Sequence, residues 1–220
     1  MLVQEAQLRA GLSAGIKALD LAIDVDAQAQ LLAYLEQLHK WNKAFNLSGI
    51  RDPETMLSHH LLDSLSILPY IDGTHVADVG TGAGLPGIPL AICLPNCHFV
   101  LIDSNSKKTR FIFQTAALLN LKNVEVVHTR VEDYAPDPAV DIVTSRAFTS
   151  LQDFVSSCRH LLREGDGAKL LAMKGRMPDA ELPHLPADFH LYASYRLMVP
   201  GLEAERCALD LRPRAPTQQN

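Results

Sequence analysis

His75-Val-Ala-Asp-Val-Gly-Thr-Gly-Ala-Gly-Leu-Pro-Gly87 is the stretch that decides how this chain folds. Val76, Ala77 and Val79 predict a short buried strand. Gly80, Gly82 and Gly84 predict a backbone that turns sharply and approaches a ligand closely, because no Cβ stands in the way. Ile88-Pro-Leu-Ala-Ile-Cys-Leu94 then predicts a helix, with Pro86 or Pro89 in its first turn, where a missing N–H costs nothing. Strand, glycine turn and helix start together make a nucleotide cradle.

Gly82-Ala-Gly84-Leu-Pro-Gly87 fits the dinucleotide pattern G-x-G-x-x-G, which alone is a weak signal. Asp78 argues against a diphosphate in this cradle. A carboxylate about 5 Å from such a charge costs roughly 3 kcal/mol at an effective dielectric near 20. The same carboxylate suits a cationic ligand such as S-adenosylmethionine, with its ammonium and sulfonium. The plainer reading is that Asp78 caps a turn and the glycines only shape it.

The chain has 220 residues, 47% hydrophobic and 20% charged, which suits one globular domain with an extension. No apolar run reaches the roughly eighteen residues of a membrane span, and Met1-Leu-Val-Gln-Glu-Ala lacks the basic-then-apolar order of a signal peptide. A cytoplasmic protein without a membrane partner is expected. Cys93, Cys97, Cys158 and Cys207 are scattered, and no second ligand pair joins Cys93, Cys97 and His98 at zinc-site spacing. Reduced thiols and no metal site are expected. The net charge of −5 gives no general attraction to nucleic acid, so an RNA contact needs a local basic face.

Upstream of the cradle, residues 1–25 have irregular apolar positions and predict a short helix or mobile leader. From Asp26 the period becomes helical, with Leu31, Leu35, Leu38 and Trp41 on one face. Trp41-Asn-Lys-Ala-Phe-Asn46-Leu-Ser-Gly-Ile-Arg51 leaves that helix through a loop, and Asp52-Pro53 restarts one as N-cap and first residue. His60 and Asp63 fall three apart on a helix face just before the glycine strand. A satisfied hydrogen bond weighs more than a catalytic dyad there. Residues 26–70 therefore read as a helical N-terminal extension, 71–212 as the main domain and 213–220 as a tail.

Downstream, His98-Phe-Val-Leu-Ile-Asp103 is a buried strand ending in an acid, which can accept hydrogen bonds from ribose hydroxyls. Ser104 or Ser106 caps a helix to Asn120, and Lys107, Lys108 and Arg110 crowd its first turns, where the macrodipole disfavours cations. Val124–His128 is a third strand. In the turn after it Val131 can pack on an adenine face and Glu132 can meet the exocyclic amine. Val140–Ser145 is a fourth strand, from whose carboxyl end Arg146-Ala-Phe148 departs, the end where reacting groups belong. A helix from about Leu151 to Arg163 and the strand Ala168–Met173 follow, with Lys174-Gly-Arg176 leaving on the same side. Phe189–Val199 and Arg206–Leu211 close the chain as an antiparallel pair. The pattern is α/β and looks like the class I S-adenosylmethionine-dependent methyltransferase fold, which is Rossmann-like and implies a mostly parallel seven-stranded sheet with a terminal antiparallel hairpin.

Several motifs together resemble one family: Trp41-Asn42-Lys43 with Phe45-Asn46-Leu47, Arg51-Asp52-Pro53, His60-x-Leu62-Asp63-Ser64, Asp78 through Leu90, Ser145-Arg146-Ala147-Phe148 and Lys174-Gly175. They are similar to the bacterial RsmG (GidB) family over about residues 30–210. The resemblance implies a 16S ribosomal RNA methyltransferase acting on the N7 of a guanine in the small-subunit decoding region. It also implies cofactor contacts at Gly80, Leu85, Val131, Glu132 and Arg146, to which the residues themselves add Asp78, Gly82, Gly84 and Asp103.

Guanine N7 carries an in-plane lone pair and no proton, so no general base is expected. Asn46 and Arg146 are the expected positioning residues. Lys43, Arg51, Lys107, Lys108, Arg110, Lys174 and Arg176, with Lys40, are the expected RNA contacts if they share a face. The acceptor is expected to be 16S rRNA or the 30S subunit, and the protein a monomer. The competing functions are a methyltransferase with another acceptor, an NAD-dependent oxidoreductase, and a non-catalytic RNA-binding module.

Overall fold

The computed structural model describes residues 2–214, with side chains from residue 5. Seven strands form one sheet: β1 (His75–Val79), β2 (His98–Asp103), β3 (Val124–His128), β4 (Ile142–Ser145), β5 (Lys169–Lys174), β6 (Phe189–Arg196) and β7 (Cys207–Pro213). Their order is β3-β2-β1-β4-β5-β7-β6. Strands β1 to β5 are parallel, and β7 runs antiparallel to both β5 and β6. The order of strands reverses at β1, with β2 on one side and β4 on the other. A ligand crevice belongs at the carboxyl ends of that pair.

The apolar runs of the inner strands are continuous because both faces are covered. On β2, Phe99 and Leu101 enter one core, and Val100 and Ile102 enter the other. The first core is covered by α1 (Leu2–Ala18), α2 (Val25–Phe45), α3 (Pro53–Met56), a π-helical turn at Leu57–Leu62, α4 (Asp63–Leu65), α5 (Gly87–Cys93) and α6 (Ser106–Leu118). The second is covered by α7 (Leu151–Cys158). Leu31, Leu35 and Leu38 of α2 share the first core with Phe99 and Leu101, so the helical extension and the sheet bury one another.

Local signals explain most boundaries. Asp24 caps α2 by accepting from Ala27 N at 2.8 Å, and Asp52 caps α3 by accepting from Thr55 N at 2.8 Å. Four expectations need correction. The leader is a 17-residue helix, not a short or mobile one. Leu12 and Ile16 are buried, and Gly11 and Gly15 let the helix lie directly against Leu57 and Leu62. The cap of α6 is Asn105, whose Oδ1 accepts from Lys107 N at 3.0 Å, in place of Ser104 or Ser106. Helix α7 ends at Cys158 and tightens into a 3₁₀ turn, Arg159–Leu161. Strand β7 runs on to Pro213, the first residue of the expected tail, with Arg212 before it paired to Asp210 at 2.8 Å and 3.6 Å over the Tyr192 ring. Of the expected tail, residues 215–220 lie outside the described residues.

The four cysteines are free thiols, two of them buried. Among the described residues no helix is long and apolar enough to cross a membrane.

Gly87 sits where α5 crosses β1 and β2. A Cβ there would run into the Leu101 side chain and come 2.8 Å from Asp78 Oδ2. Gly87→Ala is therefore expected to lower stability by about 1–3 kcal/mol in urea denaturation. Gly49→Ala, where a Cβ meets open space, should stay within about 0.5 kcal/mol of the parent.

Candidate cofactor and acceptor site

The backbone of the cradle is anchored to the neighbouring strand. Gly80 N and Thr81 N donate to Ile102 O at 2.9 and 3.1 Å. Gly80 has φ +66°, and a Cβ on it would strike the Ala147 methyl at 2.6 Å, so the loop after β4 packs directly on the glycine turn.

Asp78 is fully buried beneath the loop. Its Oδ2 accepts from Thr81 Oγ1 at 2.6 Å and from Gly87 N at 2.8 Å, and its Oδ1 has no partner. This corrects the expected cofactor contact: Asp78 touches only the loop, tying its first and last turns together as in the plainer reading, and it lines neither the cavity beside Asp103 nor the one beside Arg146. Burial pushes the carboxyl up to about 6, against the lowering effect of the Thr81 and Gly87 hydrogen bonds and of Arg146.

Asp103 ends β2, where its Oδ2 accepts from Gly82 N and its Oδ1 from Asn105 N, both at 2.8 Å. A carboxylate offers about four acceptor positions, so two remain for a ligand. A cavity of about 280 Å³ opens beside it, lined among others by Gly80, Asp103, Lys108, Val131, Glu132 and Phe148. Four of the expected cofactor residues thus share one cavity. Gly82, Gly84 and Leu85 do not line it. Gly82 borders it, with Lys108 Nζ 3.9 Å from where its Cβ would stand, whereas Leu85 is a buried residue of the first core. Lys108, expected on an RNA face, lines this cavity instead.

Arg146 leaves β4 toward the helical extension. Its Nη1 stands 3.1 Å from Asp63 Oδ2, and Arg206 Nε donates to Asp63 Oδ1 at 3.1 Å. The Arg146 contact is an ion pair outside hydrogen-bond geometry, so the buried Nη1 keeps a free N–H. Asp63 is 1% exposed and shared by two arginines. His60 does not pair with it. Its Nε2 instead meets Ser48 Oγ at 2.7 Å. Burial, with Arg146 nearby, holds the imidazole down at about 4, so it is neutral at pH 7.

Asn46 is the exposed C-cap of α2 in the left-handed region, φ 51°. The residue that fixes its loop is Asn42, which the sequence reading missed. Asn42 Nδ2 donates to Ile50 O and its Oδ1 accepts from Ser48 N, both at 2.7 Å. Tyr34 was also missed, although a phenol in a leucine stripe signals a buried hydroxyl in need of a partner. Its hydroxyl donates to Ala83 O at 2.7 Å, inside the glycine loop.

A second cavity, about 720 Å³, is lined by Arg146, Phe148, Lys174 and Arg176 among others, and meets the first at Phe148. Arg176 is exposed. Lys174 is engaged, with Nζ 3.1 Å from Glu181 Oε2 and 2.9 Å from Thr149 O, so it is not a free phosphate contact. Lys43, Arg51, Lys107 and Arg110 are exposed.

A family model described as rRNA small subunit methyltransferase G (GidB) matches residues 27–209. The chain belongs to that family. Ribosomal RNA small subunit methyltransferase G of Pseudomonas aeruginosa strain LESB58 is 51% identical over 205 residues, 93% of this chain and 95% of the relative. The same-named protein of Saccharophagus degradans is 50% identical over 193 residues, 88% and 86% of the two chains. TrmN from Thermus thermophilus shares the fold at TM-score 0.56, with 18% identity, 72% of this chain and 53% of that one. The expected methyltransferase fold and rRNA methyltransferase G family are both borne out.

The buried Asp78 carboxylate generates a prediction with a definite sign. Its folded pKa lies above the ordinary value, so its stabilising protonation is complete below about pH 4 and is lost as pH rises through about 6. Asp78→Asn mimics the protonated form. Its melting temperature relative to the parent should be higher at pH 7 than at pH 4.5, measured by thermal denaturation of both proteins across that range.

Proposed function

We propose that this chain transfers a methyl group from S-adenosylmethionine to the N7 of a guanine in the decoding region of 16S rRNA. The observation that carries the reading is the 280 Å³ cavity joining Gly80, Asp103, Val131 and Glu132 beside a larger cavity lined by Arg146 and Arg176. The residues fit the cofactor. Asp103 has acceptor capacity left for two ribose hydroxyls, Val131 offers an apolar face to adenine, and Glu132 suits its exocyclic amine. When bound, S-adenosylmethionine supplies the electrophilic methyl group and leaves as S-adenosylhomocysteine.

The work left to the chain is placement. N7 needs no deprotonation, which agrees with a neutral, hydrogen-bonded His60 and with Asp63 engaged by arginines. Holding N7 about 3–3.5 Å from the methyl carbon, and in line, is worth up to roughly 7–11 kcal/mol. Arg146, which lines the larger cavity, suits the cofactor carboxylate or an RNA phosphate. Asn46, at the end of α2, suits the guanine edge. Lys43, Arg51, Lys107, Arg110 and Arg176 suit phosphates, and an rRNA acceptor supports a cytoplasmic location. We read it as acting as a monomer.

Transfer of tritium from labelled cofactor should reach 16S rRNA or 30S subunits and not small-molecule acceptors. Borohydride and aniline should then cleave the product at a single guanine, and label in any other position would overturn the assignment. Asp103→Asn keeps an acceptor for Gly82 N but removes charge, and should weaken cofactor binding about tenfold in calorimetry. RNA affinity should fall steeply with salt, and Arg176→Ala should reduce the slope of log K against log salt by about 0.7.

A further inference from the structure

An aromatic ladder runs from the glycine loop to the surface. Tyr34, hydrogen-bonded to Ala83 O, lies 6.4 Å from Phe111, which lies 5.5 Å from Trp41, which lies 5.0 Å from Phe45. The first ring is fully buried, and the last is 49% exposed. Its outer end opens into a pocket of about 300 Å³ lined by Trp41, Phe45, Ser106, Lys107, Arg110 and Gln114.

The cations there are not explained by folding. Lys107 stands in the first turn of α6 and Arg110 just beyond it, against the helix dipole. Among the described residues neither forms an ion pair. Flat aromatic surface rimmed by unneutralised cations matches a ligand that is flat, apolar on its faces and anionic at its edge. A nucleotide is such a ligand, and base–aromatic stacking accepts any base. Helix α6 links the pocket to the proposed cofactor cavity, because Lys108, next in the chain to Lys107, lines that cavity.

We propose that the Trp41–Phe45 pocket is a subsite for an unstacked nucleotide of the RNA acceptor flanking the target guanine. The base stacks on Phe45 beside Trp41, and its phosphates lie on Lys107 and Arg110. The proposal rests on the RNA-acceptor reading above and adds to it a base-stacking contact, which phosphate binding alone does not require.

Trp41 is the chain's one tryptophan, so its fluorescence reports on this pocket. The test titrates the full chain with hexaadenylate and with an abasic ribose-phosphate hexamer of equal charge. Hexaadenylate should quench Trp41 and bind about tenfold more tightly than the abasic strand. Phe45→Ala, at an exposed position, should abolish that preference, and Phe45→Tyr should keep it. The double variant Lys107→Ala, Arg110→Ala should weaken both strands alike. Equal affinities for the two strands, or a preference unchanged in Phe45→Ala, would overturn the subsite. Methyl transfer to 16S rRNA on the same preparations separates the two ideas. Transfer without base preference removes the subsite and leaves the function, and base preference without transfer does the reverse.

Discussion

The buried Asp78 carboxylate is the constraint on which the cradle depends. One oxygen accepts from Thr81 at the start of the glycine loop and from Gly87 at the start of α5, so one atom sets the span of the turn. Lifting a carboxylate out of water is costly, and the rise of its pKa to about 6 records that cost. Neighbouring elements then fit around the fixed loop. Gly87 allows α5 to lie against Leu101 and Asp78, Ala147 rests on Gly80, and Tyr34 of α2 donates into the loop. Helical extension, sheet and cradle are thereby one packed unit.

Both cavities carry mixed charge. The smaller is lined by Asp103 and Glu132 with Lys108 and Arg130, over the buried Asp78, and the larger by Arg146, Lys174 and Arg176 with Asp179 and Glu181. Neither selects a ligand by net sign, so selection falls to the groups that keep free hydrogen-bonding capacity. Asp103 keeps acceptor positions, Lys174 is taken up by Glu181, and Arg176 is exposed. With a net charge of −5, attraction for an RNA acceptor has to be local.

Much of this was legible in the sequence for physical reasons. Strands β2 and β3 were read at their observed bounds because His98–Asp103 and Val124–His128 are apolar runs closed by turn residues. The cradle was legible because glycines at a strand end have few other uses. Helix α1 was not, although Leu8, Leu12 and Ile16 recur four apart and pack on the first core, because the small residues beside them, Gly11 and Gly15, carry the rest of the contact and dilute the apolar pattern. Nor was the place of Arg146 at Asp63. Pairing across 83 positions of sequence (146 − 63) leaves no local mark, and the π-helical turn that carries His60 breaks the spacing on which a helix-face argument rests. Lys174 failed as a free cation for a more local reason, because Glu181 returns to it through an irregular loop that no periodicity marks.

The shared carboxylate of Asp63 also has a meaning in time. It joins a helix near the front of the chain to Arg146 at the middle of the sheet and to Arg206 at the threshold of β7. During synthesis the first two emerge long before the third, and N-terminal parts fold first. In a chain that stops short of Arg206, Asp63 keeps one arginine and its Oδ1 loses its partner, so truncating the terminal hairpin exposes a cost at a buried charge near the front of the chain.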